Sequence, residues 1–402
     1  MSDDSGTDAP STRQIHHDYV PPSGFAAVAP PSHRASTVLF DNVAALRASN
    51  WLDKNTYTYG LHGTPTSFTL EARIATLEGG THAMLVPSGL AAIALVDQSL
   101  LSSGDTVLIP SNAYFPNKSL AAHELARWGI AHRFYDPMDL ESLRVALGAD
   151  VKLVWIEPPG SVTLEFPDLR GLVRTVRAHA PHATVALDNT WGSGIAFDAF
   201  DLDPGVAPAL GVDLTIHALT KYPSGGADVM MGSVVMRSQA LHDQLALSHC
   251  RLGLGVGPND VELVLRGLQT VALRYAAQDA ATRRIAQWAL GRKEFARVLH
   301  PATSGSPGHA HWAAQCRASA GLLSLEFDPA WTPERVERFV DDLRLFGIGW
   351  SWAGPMSLAV PYRAESGRVG TSRGTIVRLS IGLEDVDDLI RDLEQALGKL
   401  AP

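Results

Sequence analysis

The sequence predicts an α/β protein: a large unit with a mostly parallel sheet between helices, then a smaller α+β unit at the C-terminus. Three observations predict it. From about Glu71 onward, short apolar runs alternate with stretches of helical period, as strand–helix crossovers require. After about Arg274 the pattern shifts to strands and helices without that regular alternation. The 402 residues also exceed one ordinary hydrophobic core. The expected division is an N-terminal arm over 1–70, a large domain over 71–273 and a C-terminal α+β domain over 274–402.

In order along the chain, Met1 to about His33 is rich in Ser, Asp and Pro, and is expected to be mobile or draped over a neighbour. His16 and His17 are read as part of that leader, not as metal ligands. "TLEARIATLEGG" reads as a helix closed by glycine, "HAMLVPSG" as a strand ending in a turn, and "LAAIALVDQSLL" as a helix. "DTVLIPS" and "HRFYD" read as strands on either side of one helix, "FPNKSLAAHELARWG". "LESLRVAL" is a helix, "KLVWIEPP" a strand, "LRGLVRTVRAHA" a helix and "TVALDNTW" a strand. "VDLTIHALTKY" and "GSVVMRS" supply further strand. The glycine run "RLGLGVGP" follows no clear strand and has the wrong spacing for a nucleotide loop, so it reads as a plain connection. Beyond it, "LLSLEF" and "IVRLSIG" are strands, while "RVERFVDDLRLF" and "VDDLIRDLEQALGKL" are helices.

Composition narrows the function. The chain is 46% apolar and 19% charged, as a soluble globular protein is. Its net charge of −9, with no basic block, argues against a nucleic-acid surface. No apolar run reaches the roughly 18 residues of a membrane span. The two cysteines, Cys250 and Cys316, lack metal-type spacing. The first residues are acidic and lack the apolar stretch of a secretory leader, so the cytoplasm is the expected compartment. No metal is expected.

In parallel sheets ligands sit at the carboxyl ends of the strands. The polar residues there are Ser88 and Gly89, Asn112 and Tyr114, Asp188 and Asn189, and Thr220 and Lys221. Lys221 is one of six lysines in a chain with twenty-seven arginines, and it stands between an apolar run and the glycine-rich turn of "TIHALTKYPSGGADVMMGS". A lysine at a strand end is either a surface cation or, when buried, an amine for carbonyl chemistry. Asp188 is either a loop aspartate or the partner of a ring nitrogen such as that of pyridoxal phosphate. Tyr114 either closes a core edge or stacks on a flat ring. Ser88 and Gly89 open a helix whose N–H groups suit a phosphate, though "PSG" is also a common turn. Arg378 lies inside an apolar strand, where a charge needs a partner: a bound carboxylate, or an internal acid such as Glu384 or Asp385.

"LVPSGLAAI", "SNAYFPN", "WIEPPGS", "ALDNTWGSG" and "HALTKYPSGGADVMMGSVV" together resemble the Cys/Met-metabolism family of pyridoxal-phosphate enzymes, from about Tyr59 to the C-terminus. "GWSWAGPMSL" and "GTIVRLSIGLEDVDDLI" are most similar to its cystathionine β-lyase branch. The resemblance implies the aspartate-aminotransferase-like fold (fold type I) and a carbon–sulfur lyase of methionine biosynthesis by transsulfuration. It also implies an amino-acid thioether substrate and a homotetramer, a dimer of dimers with shared sites. Lys221 would carry the cofactor covalently, Asp188 would pair with its ring nitrogen and Tyr114 would stack on the ring and assist catalysis by accepting the substrate ammonium proton. Ser88, Gly89, Leu90 and Thr220 would hold the phosphate, touched also by Tyr59 from the neighbouring subunit. Arg378 would grip the substrate carboxylate, helped by Ser351, Trp352 and Asn189.

Three positions depart from the family pattern. Leu61 replaces an arginine that meets the phosphate from the adjacent subunit, Ala218 replaces a serine, and Met356 replaces a glutamate near the distal end of the substrate. His62 either stands in for the missing arginine or is a loop histidine. The reaction implied is β-elimination of L-cystathionine to homocysteine, pyruvate and ammonia. A γ-eliminating or γ-replacing relative (a methionine γ-lyase or homoserine-ester sulfhydrylase type) and a fold-retaining non-catalytic binder are the alternatives.

Overall fold

The structure is a computed structural model that describes residues 9–16, 23–24, 27–363 and 374–399. The chain begins with α1 (Pro10–Ile15), α2 (Val43–Ala48) and α3 (Pro65–Glu78), then β1 (His82–Val86), α4 (Gly89–Leu100) and β2 (Thr106–Pro110). Next come α5 (Phe115–Leu120), running on through a π-helical turn at Ala121–Leu125, and β3 (Ala131–Tyr135), α6 (Leu140–Ala146) and β4 (Val151–Ile156). α7 (Leu169–His179), β5 (Thr184–Asp188), β6 (Leu214–His217) and β7 (Gly232–Met236) complete the large sheet. The helices α8 (Gln239–Leu252), α9 (Pro258–Leu268) and α10 (Val271–Leu290) lead to β8 (Phe295–Leu299), α11 (His309–Gln315) and β9 (Leu322–Phe327). The chain closes with α12 (Pro333–Asp341), β10 (Gly347–Ile348), β11 (Leu358–Tyr362), β12 (Ile376–Ser380) and α13 (Val386–Lys399).

The large sheet has seven strands in the order β1-β7-β6-β5-β4-β2-β3. β6, β5, β4, β2 and β3 are parallel, whereas β7 runs antiparallel to both β6 and β1. The segment between β6 and β7 holds no crossover helix, so the chain turns back and pairs antiparallel. Because β1 and β6 both oppose β7, they run in the same direction, and the ends of β1, β2, β5 and β6 converge. Apolar side chains fill both faces of this sheet, as a sheet covered on both sides requires. On one face the α7 stripe of Leu169, Leu172, Val173 and Val176 is buried at helical spacing.

The five-stranded sheet, in the order β10-β11-β12-β9-β8, packs with α10, α12 and α13 around its own apolar core. The expected boundary at 273/274 falls inside α10. Among the described residues, no helix is long and apolar enough to cross a membrane.

The leader differs in part from expectation. α1 docks: Gln14 is buried and its amide donates to the Arg73 carbonyl at 3.3 Å. His17 lies outside the described residues. The helix read from "TLEARIATLEGG" starts earlier, at Pro65, because Thr64 and Ser67 form a reciprocal capping box ahead of it. The glycine run at Arg251–Pro258 is a connection, entered through Gly253 in the left-handed region at the end of α8.

Candidate active site

Lys221 lies in the turn that follows β6. Its Nζ donates to Ser351 Oγ at 2.7 Å and stands 5.4 Å from the centre of the Trp352 indole. That indole packs edge-on against Tyr222. Burial brings the amine down to about 8; Arg378 acts in the same direction and Asp188 opposes it. Near neutrality such an amine has a nucleophilic fraction that an ordinary lysine lacks.

Asp188 ends β5, beside β6, and its Oδ1 accepts from the Thr190 N–H at 2.9 Å. Burial pushes its carboxyl up, against hydrogen bonds from Thr190 and the nearby His217, with Glu78 adding to the rise. Tyr114 caps α5 just beyond β2, and its backbone N–H donates to the Glu157 carboxylate at 2.8 Å. Burial, then Asp188 and Glu157, push its phenol above the ordinary value, while Arg378 acts the other way. The phenol is therefore protonated at neutral pH.

Arg378 is in β12, between β11 and β9, and is only 7% exposed. Nη1 donates to the Ser161 carbonyl at 3.3 Å, and the guanidinium lies 5.6 Å from the Tyr362 ring centre. Nε has no hydrogen-bond partner among the described residues. Glu384, one of the two candidate internal partners, instead accepts from the Ser357 N–H and hydroxyl at 2.7 and 2.8 Å. Asp385 accepts from the N–H groups of Asp387 and Asp388 at the start of α13. A buried fork with an open donor beside a lysine and a tyrosine matches a carboxylate ligand.

At the start of α4, Ser88 caps with its hydroxyl, accepting from Ala91 N–H at 3.0 Å. The N–H groups of Gly89 and Leu90 have no acceptor among the described residues. Gly89 must be glycine: a Cβ there would meet the Ala218 Cβ at 2.6 Å. The Thr220 hydroxyl both donates to and accepts from the Met231 backbone, at 3.1 Å each. The hydroxyl thus sits against the β7 end of the turn, beside the α4 N-terminus. Ala218 carries no hydroxyl.

Asn189 does not reach the substrate side as expected. It is fully buried, and its amide donates to Glu78 at 2.6 Å, away from the site. It cannot touch substrate from there. Ser351 accepts from the Lys221 amine and has a backbone φ of 136°.

Tyr59 and Leu90 are exposed, and Tyr59 bridges to Thr37. His62 lies in a turn and is half-buried. Its ring stacks on Trp51 at 4.9 Å and its Nδ1 lies 2.8 Å from the Thr58 hydroxyl. Burial and then His249 hold its ring below the ordinary range. Leu61 lines a small cavity with His62, His249 and Val256. Met356 is exposed.

Three residues escaped the sequence reading. Glu157 was within a quoted stretch but showed no local sign of a role. Glu78 and His217 sit in apolar surroundings and are joined only by folding. Burial pushes the Glu157 carboxyl well up, and Asp188 adds to this.

A family model for Cys/Met metabolism PLP-dependent enzymes matches residues 11–398. The chain belongs to that family. It is 38% identical to a cystathionine β-lyase of Bordetella avium over 95% of this chain and 94% of that one. It is 33% identical to a cystathionine β-lyase of Escherichia coli K12 over 91% of this chain and 92% of that one. Among solved structures, a cystathionine γ-synthase of Xanthomonas oryzae pv. oryzae, in complex with aminoacrylate and cysteine, superposes with a TM-score of 0.88 at 31% identity, covering 98% of each chain.

The cofactor of the family is pyridoxal phosphate, and the residues fit it. A buried amine near 8 faces a buried carboxyl across adjacent strand ends. The first turn of α4 offers open N–H groups where Gly89 lets the backbone approach closely. When bound, the cofactor supplies an aldehyde for amines and a ring that draws electron density from the substrate Cα.

Proposed function

We propose that this protein is a cystathionine β-lyase, cleaving L-cystathionine by β-elimination into homocysteine, pyruvate and ammonia. The observation that carries the reading is Arg378: a buried guanidinium with an open Nε, placed beside Lys221 and Tyr114. Two relatives named cystathionine β-lyase, each similar over more than nine-tenths of this chain, support the choice of substrate.

The residues divide the work. Lys221 would hold the cofactor, Asp188 would pair with its ring nitrogen, Tyr114 would cover its ring, and Ser88, Gly89 and Leu90 would hold its phosphate. Arg378 binds the substrate α-carboxylate and thereby orients the Cα–H bond. The Lys221 amine, in its neutral form, would take the Cα proton. The Cβ–S bond then breaks, and its electron pair leaves with sulfur as the homocysteine thiolate. The Tyr114 phenol would be available to return a proton to that thiolate. The remaining three-carbon fragment takes up water and ends as pyruvate and ammonia. Trp352 and Ser351 close over the lysine and exclude water.

The working form proposed is a homotetramer of paired dimers in the cytoplasm, with Tyr59 completing the partner's phosphate site. α2 supports this: none of its residues is buried, although Val43 and Leu46 are apolar. Its exposed apolar side chains suit cover by a second copy.

The γ-acting reading keeps some support from the Xanthomonas γ-synthase. Product identification separates the two. With L-cystathionine, pyruvate and homocysteine support the proposal, whereas 2-oxobutyrate and cysteine overturn it.

A further inference from the structure

Behind the strand ends that carry Asp188 and Lys221 lies a closed polar cluster. Glu78, the last residue of α3, accepts three hydrogen bonds. Asn189 Nδ2 and Thr215 Oγ1 reach Oε2 at 2.6 and 3.1 Å, and His217 Nδ1 reaches Oε1 at 2.7 Å. The His217 Nε2 lies 3.4 Å from Ser193 Oγ, and the Ser193 N–H donates to the Asn189 carbonyl at 2.7 Å. The Glu78 and His217 side chains are both 0% exposed. No Lys or Arg pairs with Glu78 among the described residues.

The placement is what matters. Asn189 directly follows Asp188, and His217 precedes Lys221 by four residues. Thr215 stands opposite Leu187 in the β5–β6 ladder, one step before Asp188. A single carboxylate thus ties together both strand ends, and it does so from helix α3, outside the sheet. Burying an acid and an imidazole costs several kcal/mol in desolvation, and an apolar cluster of the same volume would stabilise the fold as well or better.

We propose that Glu78 is a positioning residue for the reaction, fixing the Asp188 and Lys221 strand ends against each other through Asn189, Thr215 and His217. The inference rests on the roles given to Lys221 and Asp188 above. Glu78 touches neither cofactor nor substrate. Replacement by glutamine removes the charge, and turning its NH2 to His217 forces the imidazole into the Nε2–H tautomer, so the charge-assisted bond that fixes the cluster is lost. Asn at position 217 can offer an amide N–H where Nδ1–H stood; Leu cannot.

The test uses pyridoxal-phosphate-loaded enzyme with Glu78→Gln, His217→Leu and His217→Asn. Three readouts are taken: kcat and KM separately, and the circular dichroism of the bound cofactor in the visible, which reports its orientation. Glu78→Gln and His217→Leu are expected to lower kcat about tenfold or more, near 1.4 kcal/mol, with KM nearly unchanged and the visible dichroism altered. His217→Asn is expected to restore most of both. Should Glu78→Gln yield no soluble enzyme, the His217 pair decides. Folded, loaded Glu78→Gln and His217→Leu with the wild-type kcat and dichroism would overturn the inference, as would His217→Asn as impaired as His217→Leu. Wild type that takes up no pyridoxal phosphate would instead overturn the functional reading, and this inference with it.

Discussion

The Nζ of Lys221 and the Oγ of Ser351 are 2.7 Å apart, and the serine that accepts this bond has a backbone φ of 136°. A non-glycine residue there stores roughly 1–3 kcal/mol of strain, comparable to what a hydrogen bond to a charged group returns. The lysine holds the serine in a conformation its own backbone disfavours. Ser351→Ala loses the bond and keeps the strain, whereas Ser351→Gly loses the bond and relieves the strain. The glycine variant is expected to be about 1–3 kcal/mol more stable than the alanine variant, with both similarly impaired in turnover. Denaturant melts and steady-state rates of the pair measure this; equal stabilities would remove the strain argument.

Arg378 is expected to matter through the carboxylate it binds. Arg378→Ala should lower kcat/KM for L-cystathionine by about 10- to 150-fold, the equivalent of roughly 1.5–3 kcal/mol. Arg378→Lys should recover only part, because the planar fork is lost. A decarboxylated analogue gives the control, since wild type and variant should then nearly coincide. A variant equally impaired toward both compounds would point to a structural role.

The Lys221 amine, brought down to about 8 by burial and Arg378, sets a pH dependence. The neutral amine is the reactive form, so reaction with added pyridoxal phosphate should speed up as pH rises through 8 and level off above it. Enzyme stripped of cofactor and remixed in a stopped-flow absorbance experiment reads the profile. A rise seen only near the ordinary lysine range would mean the amine is not perturbed.

Asp97 of α4 predicts a stability effect away from the chemistry. It is fully buried, its Oδ1 accepts from Trp155 Nε1 at 2.9 Å, and burial raises its carboxyl to about 7 from an ordinary 3.8. Between those pH values the folded chain holds a proton that the unfolded chain has released. Stability contributed by this group is therefore full below about pH 4 and is lost as pH rises toward 7. Asp97→Asn keeps the acceptor for Trp155 and cannot ionise. It should be more stable than wild type at pH 8, on the order of a few kcal/mol, with the gap shrinking toward pH 4. Melting temperatures across that range check the sign.

What the sequence made legible was local. Apolar runs of strand length, each ending in a polar pair, located Lys221, Asp188, Tyr114 and the α4 turn, because strand direction alone brings those ends together. The antiparallel course of β7 was not legible, since short buried strands read alike in either direction. α8, α9 and α10 also went unassigned, and α10 crosses the expected domain boundary. Arg378 had two readings until folding committed Glu384 to Ser357 and Asp385 to the start of α13. The Glu78–His217 contact joins residues 139 positions apart, so nothing near either one announces it. Asn189 reads differently for the same reason: its position beside the site was readable, but Glu78, which takes its amide, was not.

The most direct measurement is product analysis of L-cystathionine with wild type and Lys221→Ala, both supplied with pyridoxal phosphate. Wild type is predicted to release pyruvate and homocysteine in equal amounts, and Lys221→Ala to release neither at a measurable rate while remaining folded. Full turnover by the Lys221→Ala enzyme would contradict the account at its centre.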